Sequence, residues 1–489
     1  MTDESKSCAN KDAFMKINLL QNKHFQLFKT ISEVAAHNNQ TVYVVGGYVR
    51  DLLMGRTDLT DIDFVTERSG IELAKAVAHE IKPELTVSFF KNYGTAMFKF
   101  QGLDLEFVGA RKESYSENSR KPEVESGLLS DDLQRRDFTV NAMAISLNTD
   151  DFGALIDPFN GRQDLQDKIL RTPLEPHKTY SDDPLRMMRA IRFATTLNFE
   201  IEENSLEAIR NEAGRIAIVS MERIMVEFNK IMLSAKPSVG LKLLEETGLM
   251  KLILPELVHL KGIENIDGQT HKDNFYHTLE VLDNISGRTD NLWLRWSALL
   301  HDIGKASTKK FVEGTGWTFH GHEFIGSKML KSIFRRLKLP LGSELQFVQK
   351  MVRMHARPIA LIDDGVSDSA LRRLLFDAGD DLEELMILCQ SDVTTKNTAK
   401  QRRYRQNFEY VAAKIKEVEE KDKVRNFQPP VTGEKIMEVF GISPGKEIGI
   451  LKEQVKEAIL DGEIRNDADE ALNYVIQQAE KLGLKPIAK

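Results

Sequence analysis

The chain of 489 residues contains only two cysteines, Cys8 and Cys389. A single possible pair supplies neither a disulfide framework nor a thiolate zinc site. Long apolar runs are also missing, since none approaches the ~20 residues of a membrane-spanning helix. The first residues, MTDESKSCANKD, have neither the basic nor the apolar part of a signal peptide. We therefore predict a protein of the reducing cytoplasm that does not contact a membrane.

An excess of positive charge is absent as well. The formal net charge is −7 at pH 7, whereas proteins that bind nucleic acid usually have a basic balance. Basic residues are nevertheless clustered locally, at 135–136, 186–192, 335–336, 372–373 and 400–405. For any one cluster, a solvated helix face is the simpler interpretation. The composition therefore leaves a nucleic-acid partner open.

Internal repeats and low-complexity tracts are lacking, and the length predicts three or four domains. Short β-rich segments separated by turn residues predict strands at 41–45, 62–65, 85–90, 95–100 and 103–108. Apolar residues at helical spacing predict helices within 13–38 and at 71–81. Together they indicate a small mixed sheet with helices.

Two other regions differ from this pattern. Residues 113–127 are polar, include Pro122, and predict a mobile loop. After residue 170 the pattern becomes helical and is interrupted at Pro237, Pro255, Pro340 and Pro429-Pro430. We predict an α+β chain in which an α/β domain precedes a mostly helical remainder.

The most informative segment is 42–64, VYVVGGYVRDLLMGRTDLTDIDF. Asp61 and Asp63 are two apart, so they point to one face of a strand. Like charges this close require a cation, and Mg²⁺ takes oxygen ligands that substrate phosphates complete. Gly46 and Gly47 lack Cβ atoms, so a triphosphate can approach the backbone N–H groups there. The turn and the two acids each have an ordinary structural explanation, but together they indicate two-metal phosphoryl transfer.

Several motifs resemble one family. The GGYVRD segment at 46–51, followed by DID at 61–63, resembles the first motif of the class II nucleotidyltransferases that add CCA to tRNA and of their bacterial poly(A) polymerase relatives. The segment LQRRDFTVNAMA at 133–144 is similar to the family's RRDFTxNA motif. The segments SDDPLRMMRAIRFA at 181–194 and MERIMVEFNKIML at 221–233 are similar to its next helices. The resemblance implies a polymerase-β-like head followed by a helical neck, body and tail.

The resemblance also implies roles for individual residues. Asp61 and Asp63 would hold Mg²⁺. Glu106 is a candidate on other grounds: if the predicted strand at 103–108 pairs beside the strand of Asp63, Glu106 would be a third catalytic carboxylate, and the alternative is an acid on an exposed strand face. The remaining candidates would bind the nucleotide; they are Gly46, Gly47, Arg50, Arg136, Asp137, Asn141, Asp183, Arg186 and Arg189.

Asp183 and Arg186 are predicted to select the base. Three apart on a predicted helix, they would share a face, with Arg189 one turn further. A carboxylate only accepts hydrogen bonds and a guanidinium only donates them, and the Watson–Crick edges of cytosine and adenine satisfy both. Guanine and uracil would leave buried groups facing wrong partners. Asp182 replaces the family's usual Glu, a shorter acid beside the pair. The alternative is an ordinary salt bridge between Asp183 and Arg186.

Histidines form a second group. Seven of the eleven lie between His259 and His355, and their order around HD at 301–302 resembles the HD phosphohydrolase pattern. Imidazoles and carboxylates can hold one or two divalent metals that activate water against a phosphate ester. The candidate ligands are His277, His301, Asp302, His322, His355 and Asp392. The alternative is that the domain serves mainly as a tRNA-binding body.

The resemblance thus implies a CCA-adding tRNA nucleotidyltransferase that uses CTP, ATP and Mg²⁺, with tRNA as partner. The alternatives within the class are a poly(A) polymerase or an enzyme adding only C or only A; a mobile loop at 113–127 would govern the switch from C to A. An alternative from another class is an HD phosphohydrolase with an RNA-binding N-terminal domain.

The sequence also predicts five regions. They are an N-terminal helical segment at 1–39, a catalytic head at 40–170, a neck with the base-selecting helix at 171–236, a body with the HD domain at 237–400 and a tRNA-binding tail at 401–489. The oligomeric state stays open.

Overall fold

A computed structural model describes residues 16–90, 94–116, 119–363, 367–395, 397–422, 425 and 428–487. The chain forms two compact units. The first takes the described part of residues 1–231 together with 242–252, and the second takes 232–241 with the described part of 253–489.

The first unit combines strands and helices. Its strands are β1 (Tyr43–Val45), β2 (Asp61–Thr66), β3 (Ser88–Phe90), β4 (Thr95–Phe100), β5 (Leu103–Gly109), β6 (Arg111–Ser116), β7 (Ser119–Ser126), β8 (Ala144–Ser146), β9 (Leu155–Ile156), β10 (Ile169–Leu170) and β11 (Glu200–Ile201). Its helices are α1 (Phe25–His37), α2 (Gly47–Leu53), α3 (Gly70–Ile81), α4 (Leu129–Gln134), α5 (Gly161–Asp167), α6 (Pro176–Asp182), α7 (Leu185–Leu197), α8 (Glu203–Glu212) and α9 (Met221–Met232).

Seven strands form one sheet in the order β3-β4-β5-β2-β1-β8-β9. Strands β2 and β5 run parallel, and the other neighbouring pairs are antiparallel. Phe64 and Phe107 are opposite each other in the β2–β5 register, and their stacked rings are buried with centroids 4.7 Å apart. Because side chains alternate along a strand, the acids one residue earlier on each strand point to the other face. The predicted mixed sheet is confirmed.

The prediction of a loop at 113–127 is wrong for residues 113–116 and 119–126, which belong to strands. Strands β6 and β7 pair antiparallel from Arg111↔Ser126 to Ser116↔Ser119. The strands were not predicted because this part of the sequence is mostly polar and lacks the apolar alternation that marks a half-buried strand. The register is irregular between Ser114 and Ser116, opposite the stretch that includes Pro122. Proline has no N–H to donate to a regular ladder, so strands tolerate it mainly at such irregular positions.

The second unit is mainly helical. Its helices, two of which continue into the first unit, are α10 (Pro237–Glu246), α11 (Leu249–Ile253), α12 (Pro255–Val258), α13 (Asn274–Ser286), α14 (Leu292–Leu300), α15 (Lys305–Thr308), α16 (His322–Arg336), α17 (Ser343–Met354), α18 (Arg357–Asp363), α19 (Asp368–Ala378), α20 (Leu382–Asp392), α21 (Thr398–Asp422), α22 (Gly433–Phe440), α23 (Lys446–Asp461) and α24 (Ala468–Lys481). Two hairpins interrupt them: β12 (Asn265–Ile266) with β13 (Gln269–Thr270), and β14 (Lys310–Val312) with β15 (Gly316–Thr318).

Proline positions explain several helix starts in this unit. Pro237 and Pro255 are the first residues of α10 and α12, where a missing N–H costs nothing.

Helix α14 packs against α13 and α17, and its residue Trp296 is completely buried. The predicted helical remainder is confirmed, but the two hairpins were not predicted. Among the described residues, no helix combines the length and the apolar character needed to cross a membrane.

Candidate active sites

A cavity of about 700 Å³ in the first unit collects most of the predicted head residues. Strands β1, β2 and β5 and helices α2, α7 and α9 contribute to its wall. Of the predicted residues, those lining it are Gly46, Gly47, Arg50, Asp63, Glu106, Arg136, Asp137, Asn141, Asp183, Arg186 and Arg189. Asp61 is exposed at the start of β2 and is not among the residues that line the cavity. Eight arginines line the cavity, which makes it suited to an anionic ligand.

The turn between β1 and α2 requires glycine at position 46. Gly46 has φ +73°, which side chains rarely adopt, and a Cβ there would lie 2.7 Å from Arg136 Nη1. The same Cβ would lie 3.5 Å from Asp63 Oδ2. The bare backbone of Gly46 therefore lets a guanidinium and a carboxylate approach the turn together.

Asp63 and Glu106 are neighbours because β2 and β5 pair in parallel with Asp63 opposite Glu106. Burial raises the pKa of Asp63, Arg136 opposes that rise, and Asp61 adds to it. Burial and the nearby Asp63 also raise the pKa of Glu106. Two half-buried carboxylates on neighbouring strands have the donor chemistry of a magnesium site. The residues present therefore fit the predicted cation.

Arg136 is held in place by a buried acid. Asp132 is completely buried, and its Oδ2 accepts hydrogen bonds from Arg136 Nε at 3.1 Å and Nη2 at 2.9 Å. Asp132 also accepts from Arg135. Burial opposes ionisation of Asp132, but the two guanidiniums outweigh it and lower its pKa. This ion-pair group aims Arg136 Nη1 at the turn of Gly46.

Asp137 is enclosed by protein donors. Its Oδ2 accepts from Arg189 Nε at 2.7 Å, and its Oδ1 accepts from Asn141 Nδ2 and from the Phe138 N–H, each at 2.9 Å. Burial acts to raise the pKa of Asp137, but Arg189 and Asn141 outweigh it and lower the pKa to about 2. The carboxylate is thus fully used in fixing Arg189 and Asn141.

Arg50 continues the same network. Its Nη1 donates to Asn141 Oδ1 at 2.7 Å, while Nε and Nη2 donate to the two carboxylate oxygens of Asp51 at 3.0 and 2.8 Å. The guanidinium is buried at the cavity wall. In this structure its donors hold neighbouring side chains.

The helix predicted across Asp183 and Arg186 is wrong, because α6 ends at Asp182 and α7 begins at Leu185. Pro184 disfavours helical backbone in the residue before it, and Asp183 is extended, with φ −132° and ψ 94°. Asp183 and Arg186 nevertheless line the same cavity. Arg186 Nη2 donates to the backbone oxygen of Arg135 at 2.6 Å, and within the described part of the chain no ion pair joins it to Asp183. The alternative of an ordinary salt bridge is therefore not supported.

The second unit brings the six predicted HD residues together around Asp302. Asp302 Oδ2 lies 3.1 Å from His301 Nε2 and 3.7 Å from His277 Nε2, whereas its Oδ1 lies 3.3 Å from His322 Nε2 and 3.8 Å from His355 Nε2. Asp392 Oδ1 lies 2.9 Å from His277 Nε2.

The Nδ1 atoms of these histidines face other protein oxygens. Those of His301, His322 and His355 lie 2.8–2.9 Å from backbone carbonyl oxygens, of Ala298, Phe319 and Val352 respectively. Such contacts fix the tautomer that presents Nε2, which is how metal-binding histidines are oriented in proteins.

The charges in this cluster are strongly coupled. Burial opposes the charged form of His301, but Asp302 and Asp392 outweigh it and raise the pKa of the imidazole to about 10. Burial and His301 lower the pKa of His355 to about 4. Asp302 Oδ1 and His301 Nε2 are buried without a partner in hydrogen-bonding geometry among the described residues. These orphaned atoms and the overlapping ligand groups fit a divalent metal site.

Three family models match successive parts of the chain. Residues 42–171 match the Poly A polymerase head domain. Residues 198–260 match a probable RNA- and SrmB-binding site of polymerase A, and residues 274–397 match the HD domain.

Similarity to curated proteins shows the family of this chain. An A-adding tRNA nucleotidyltransferase of Deinococcus radiodurans is 33% identical over 362 residues, which are 72% of this chain and 80% of that protein. The chain belongs to the family of CCA- and A-adding tRNA nucleotidyltransferases. A multifunctional CCA protein of Pseudomonas fluorescens is also similar to it, at 30% identity over 75% of this chain and 87% of that protein. The predicted family and enzyme class are confirmed.

Solved structures share the fold of this tRNA nucleotidyltransferase. A CCA-adding enzyme in complex with ATP has a TM-score of 0.63 and 22% identity, with 95% of this chain and 99% of that one covered. The Thermotoga maritima CCA-adding enzyme complexed with tRNA has a TM-score of 0.60 at the same identity and coverage.

Sequence reasoning missed some residues around the cavity of this tRNA nucleotidyltransferase. Asp132, which holds Arg136, has no distinguishing pattern, because a buried and a solvated acid look alike in sequence. Phe193 lines the cavity, with Arg192 Cζ 3.7 Å and Arg50 Cζ 5.1 Å from its ring centroid. The spacing of Arg189, Arg192 and Phe193 on one helix was the available signal.

Proposed function

We propose that the first unit adds C, C and A in turn to the 3′ end of tRNA, using CTP and ATP. In each step the terminal 3′-hydroxyl attacks the α-phosphorus, loses its proton to a base or water, and forms a phosphodiester while pyrophosphate leaves. The observation that carries this proposal is the shared cavity, in which Asp63 and Glu106 face the same space as Asp183 and Arg186. The names of the relatives and the ATP and tRNA complexes of similar structures support it.

The carboxylates Asp63, Glu106 and Asp61 would hold Mg²⁺, which, when bound, neutralises charge on the reacting phosphates. The protein's own part is to bind and orient. Arg136, aimed by Asp132, binds triphosphate oxygens near Gly46 and Gly47. We infer that Arg50 acts as a positioning residue, because its donors hold Asp51 and Asn141.

Asp183 and Arg186 would select the base. The carboxylate accepts from the amino group of cytosine or adenine, and the guanidinium donates to the ring nitrogen. Arg186 is steadied by the Arg135 carbonyl, and Arg189 is fixed by Asp137. A wrong base would leave buried polar groups unpaired, at a cost of about 1–3 kcal/mol for each.

Removal of the carboxylates tests the reaction. The double variant Asp61→Ala and Asp63→Ala is expected to abolish addition of labelled CTP and ATP while tRNA binding persists. Addition at wild-type rate by this variant would exclude the proposed site.

Exchange of the selecting pair tests base choice. In a variant with Asp183→Arg and Arg186→Asp, the donor and acceptor face the oxygen and N–H of uracil or guanine. Incorporation of UTP or GTP is expected to rise relative to CTP and ATP. Unchanged selectivity in a folded, active variant would contradict the assignment.

An enzyme that adds only the terminal A is the second candidate. It is favoured by one observation, namely that the relative with 33% identity over most of its length is named A-adding. A tRNA ending in CC would then be extended with ATP, and a tRNA lacking all three nucleotides would not be extended with CTP.

We propose that the second unit hydrolyses phosphate esters. His277, His301, Asp302, His322, His355 and Asp392 would hold one or two divalent metals, which supply an activated water when bound. Hydrolysis would add water across a P–O bond and release an alcohol and phosphate. His301→Ala with Asp302→Ala is expected to erase metal-dependent phosphatase activity and spare nucleotide addition. Absence of phosphatase activity in the wild-type protein with any added divalent metal would reject this function.

A further inference from the structure

The two residues proposed to select the base lie at a short turn between helices. Helix α6 ends at Asp182 and α7 begins at Leu185, and Asp183 is extended between them. The Asp183 backbone oxygen accepts from the Arg186 N–H at 3.0 Å, and Asp183 Oδ1 accepts from the Leu185 N–H at 3.3 Å. Arg186 also has an anchor in the Arg135 oxygen. The position of the Asp183 carboxylate therefore depends on how the end of α6 is held.

Arg215 caps the end of α6. It lies on the 3₁₀ helix Ala213–Ile218, which follows α8. Its Nε and Nη2 donate to the Ser181 backbone oxygen at 3.2 and 2.9 Å. Oxygens in the last turn of a helix have no partner within it, and the negative end of the helix dipole attracts a cation. The guanidinium thus holds the backbone two residues before Asp183.

The segment 203–218 holds α6 at a second point. The Tyr180 hydroxyl lies 2.6 Å from Ser205 Oγ on α8, and both side chains are completely buried. Helices α6 and α8 pack against each other, and Ile216, beside Arg215, is buried. All of 203–218 is described, and none of its residues lines the cavity. The support for the end of α6 therefore comes from outside the substrate space.

A carboxylate rejects a wrong base only if it cannot turn away from that base. When uracil replaces cytosine, a fixed Asp183 faces the uracil oxygen, and both acceptors stay unpaired, which is the cost that excludes the base. A mobile Asp183 avoids that cost by turning toward water. Cytosine, whose amino group donates to the carboxylate, can draw it into place. Loss of the support should therefore reduce selectivity more than it reduces addition of the correct nucleotide.

We propose that Arg215 is a positioning residue for base selection, which holds Asp183 in place through the Ser181 oxygen. The proposal deepens the base selection proposed for Asp183 and Arg186 and rests on it. The planar fork of a guanidinium supplies both hydrogen bonds to one oxygen, whereas a lysine ammonium is a point charge on a flexible stem. Arg215→Lys should therefore support the end of α6 only in part.

Selectivity of Arg215→Met tests this role, because methionine has no side-chain donor. The full-length variant is assayed for the ratio of kcat/KM for UTP to that for CTP on a tRNA lacking CCA, and of GTP to ATP on a tRNA ending in CC. We expect Arg215→Met to raise these ratios about tenfold and Arg215→Lys to raise them less. Arg210→Met is the matched control, since Arg210 on α8 is paired with Glu203 at 3.4 Å and with Glu246. Wild-type ratios in Arg215→Met would overturn the proposal, and if that variant does not fold, Arg215→Lys decides in the same way.

A double variant separates positioning from general structural support. Asp183→Ala removes the carboxylate that Arg215 is proposed to hold, and should raise the ratios by itself. Adding Arg215→Met to Asp183→Ala should then leave the ratios unchanged, because residues that act through one another are not additive. A purely structural Arg215 would reduce kcat/KM for all nucleotides alike and leave the ratios at their wild-type values. A further rise of the ratios in the double variant would overturn the proposal.

The outcomes distinguish the role of Arg215 from the proposed function of the first unit. If the wild-type protein extends neither transcript, nucleotide addition is rejected, and the role of Arg215 is rejected with it. If Asp183→Ala keeps wild-type selectivity, base selection by Asp183 and its support by Arg215 are rejected, and nucleotide addition stands. If Asp183→Ala loses selectivity while Arg215→Met retains it, only the role of Arg215 is rejected.

Discussion

At the scale of single residues, buried acids determine where the cavity arginines point. Asp132 and Asp137 are each enclosed and bound to guanidiniums, so they organise the cavity and leave other donors for substrate. The sequence predicted which motif residues would line this space, because their types and order match a known reaction. It could not predict that Asp61 stays outside the cavity wall, since that depends on where β2 begins.

Gly46→Ala should impair nucleotide addition by tenfold or more. An alanine at position 46 would have to adopt the positive φ of the turn, which costs about 1–3 kcal/mol of backbone strain. Its Cβ would also displace Arg136 Nη1. Gly55→Ala is the matched control, because Gly55 has φ +74° with nothing within 4 Å of a Cβ. We expect both variants to lower Tm and only Gly46→Ala to lose activity; equal activity losses would contradict the role of Gly46.

Asp137 should contribute to stability in a pH-dependent way. Its pKa is lowered from 3.8 to about 2 in the folded state, so its contribution is complete above about pH 4 and disappears as pH falls toward 2. The shift corresponds to about 2 kcal/mol. Thermal unfolding of wild type and Asp137→Asn, compared from pH 5 downward, should show a stability gap that narrows with falling pH. A gap that is constant across this range would contradict the assignment.

At the scale of elements, strand pairing creates the carboxylate site, and one proline separates two helices. The sequence predicted β2, β4 and β5 closely because each is short, rich in β-forming residues and bounded by turn residues. It missed the polar β6–β7 ribbon and the short hairpins of the second unit, which have no apolar alternation. It also extended a helix across Pro184, although the local rule for residues before proline predicts a break there.

Pro184→Ala should relax base selection. Without the proline, α6 and α7 can join, which would turn the Asp183 carboxylate away from its extended position. We expect misincorporation of UTP relative to CTP to rise several-fold. Pro176→Ala is the control, since Pro176 occupies the first turn of α6 and interrupts nothing. If both variants have wild-type selectivity, the break at Pro184 does not serve selection.

At the scale of the whole molecule, the net charge is negative, but positive charge is concentrated in a few places. The net charge is −7, yet eight arginines line one cavity and exposed Arg402 and Arg403 lie on α21. Since phosphate contacts depend on local cations, an acidic balance is compatible with an RNA partner.

Arg402→Ala with Arg403→Ala should weaken tRNA binding and flatten its salt dependence, by about one unit of slope for each lost contact. Lys414→Ala on the same helix is the control, because Lys414 is paired with Glu417 at 2.7 Å. A titration at several salt concentrations measures both quantities. An unchanged slope would place the tRNA away from this part of α21.

The central claim is tested most directly by extension of three tRNA transcripts that end before CCA, after C and after CC. Each is incubated with Mg²⁺ and labelled CTP or ATP supplied separately. We predict that CTP extends the first two, that ATP extends only the third, and that addition stops after A. Continued ATP addition would indicate a poly(A) polymerase, and no extension of any transcript would contradict the account.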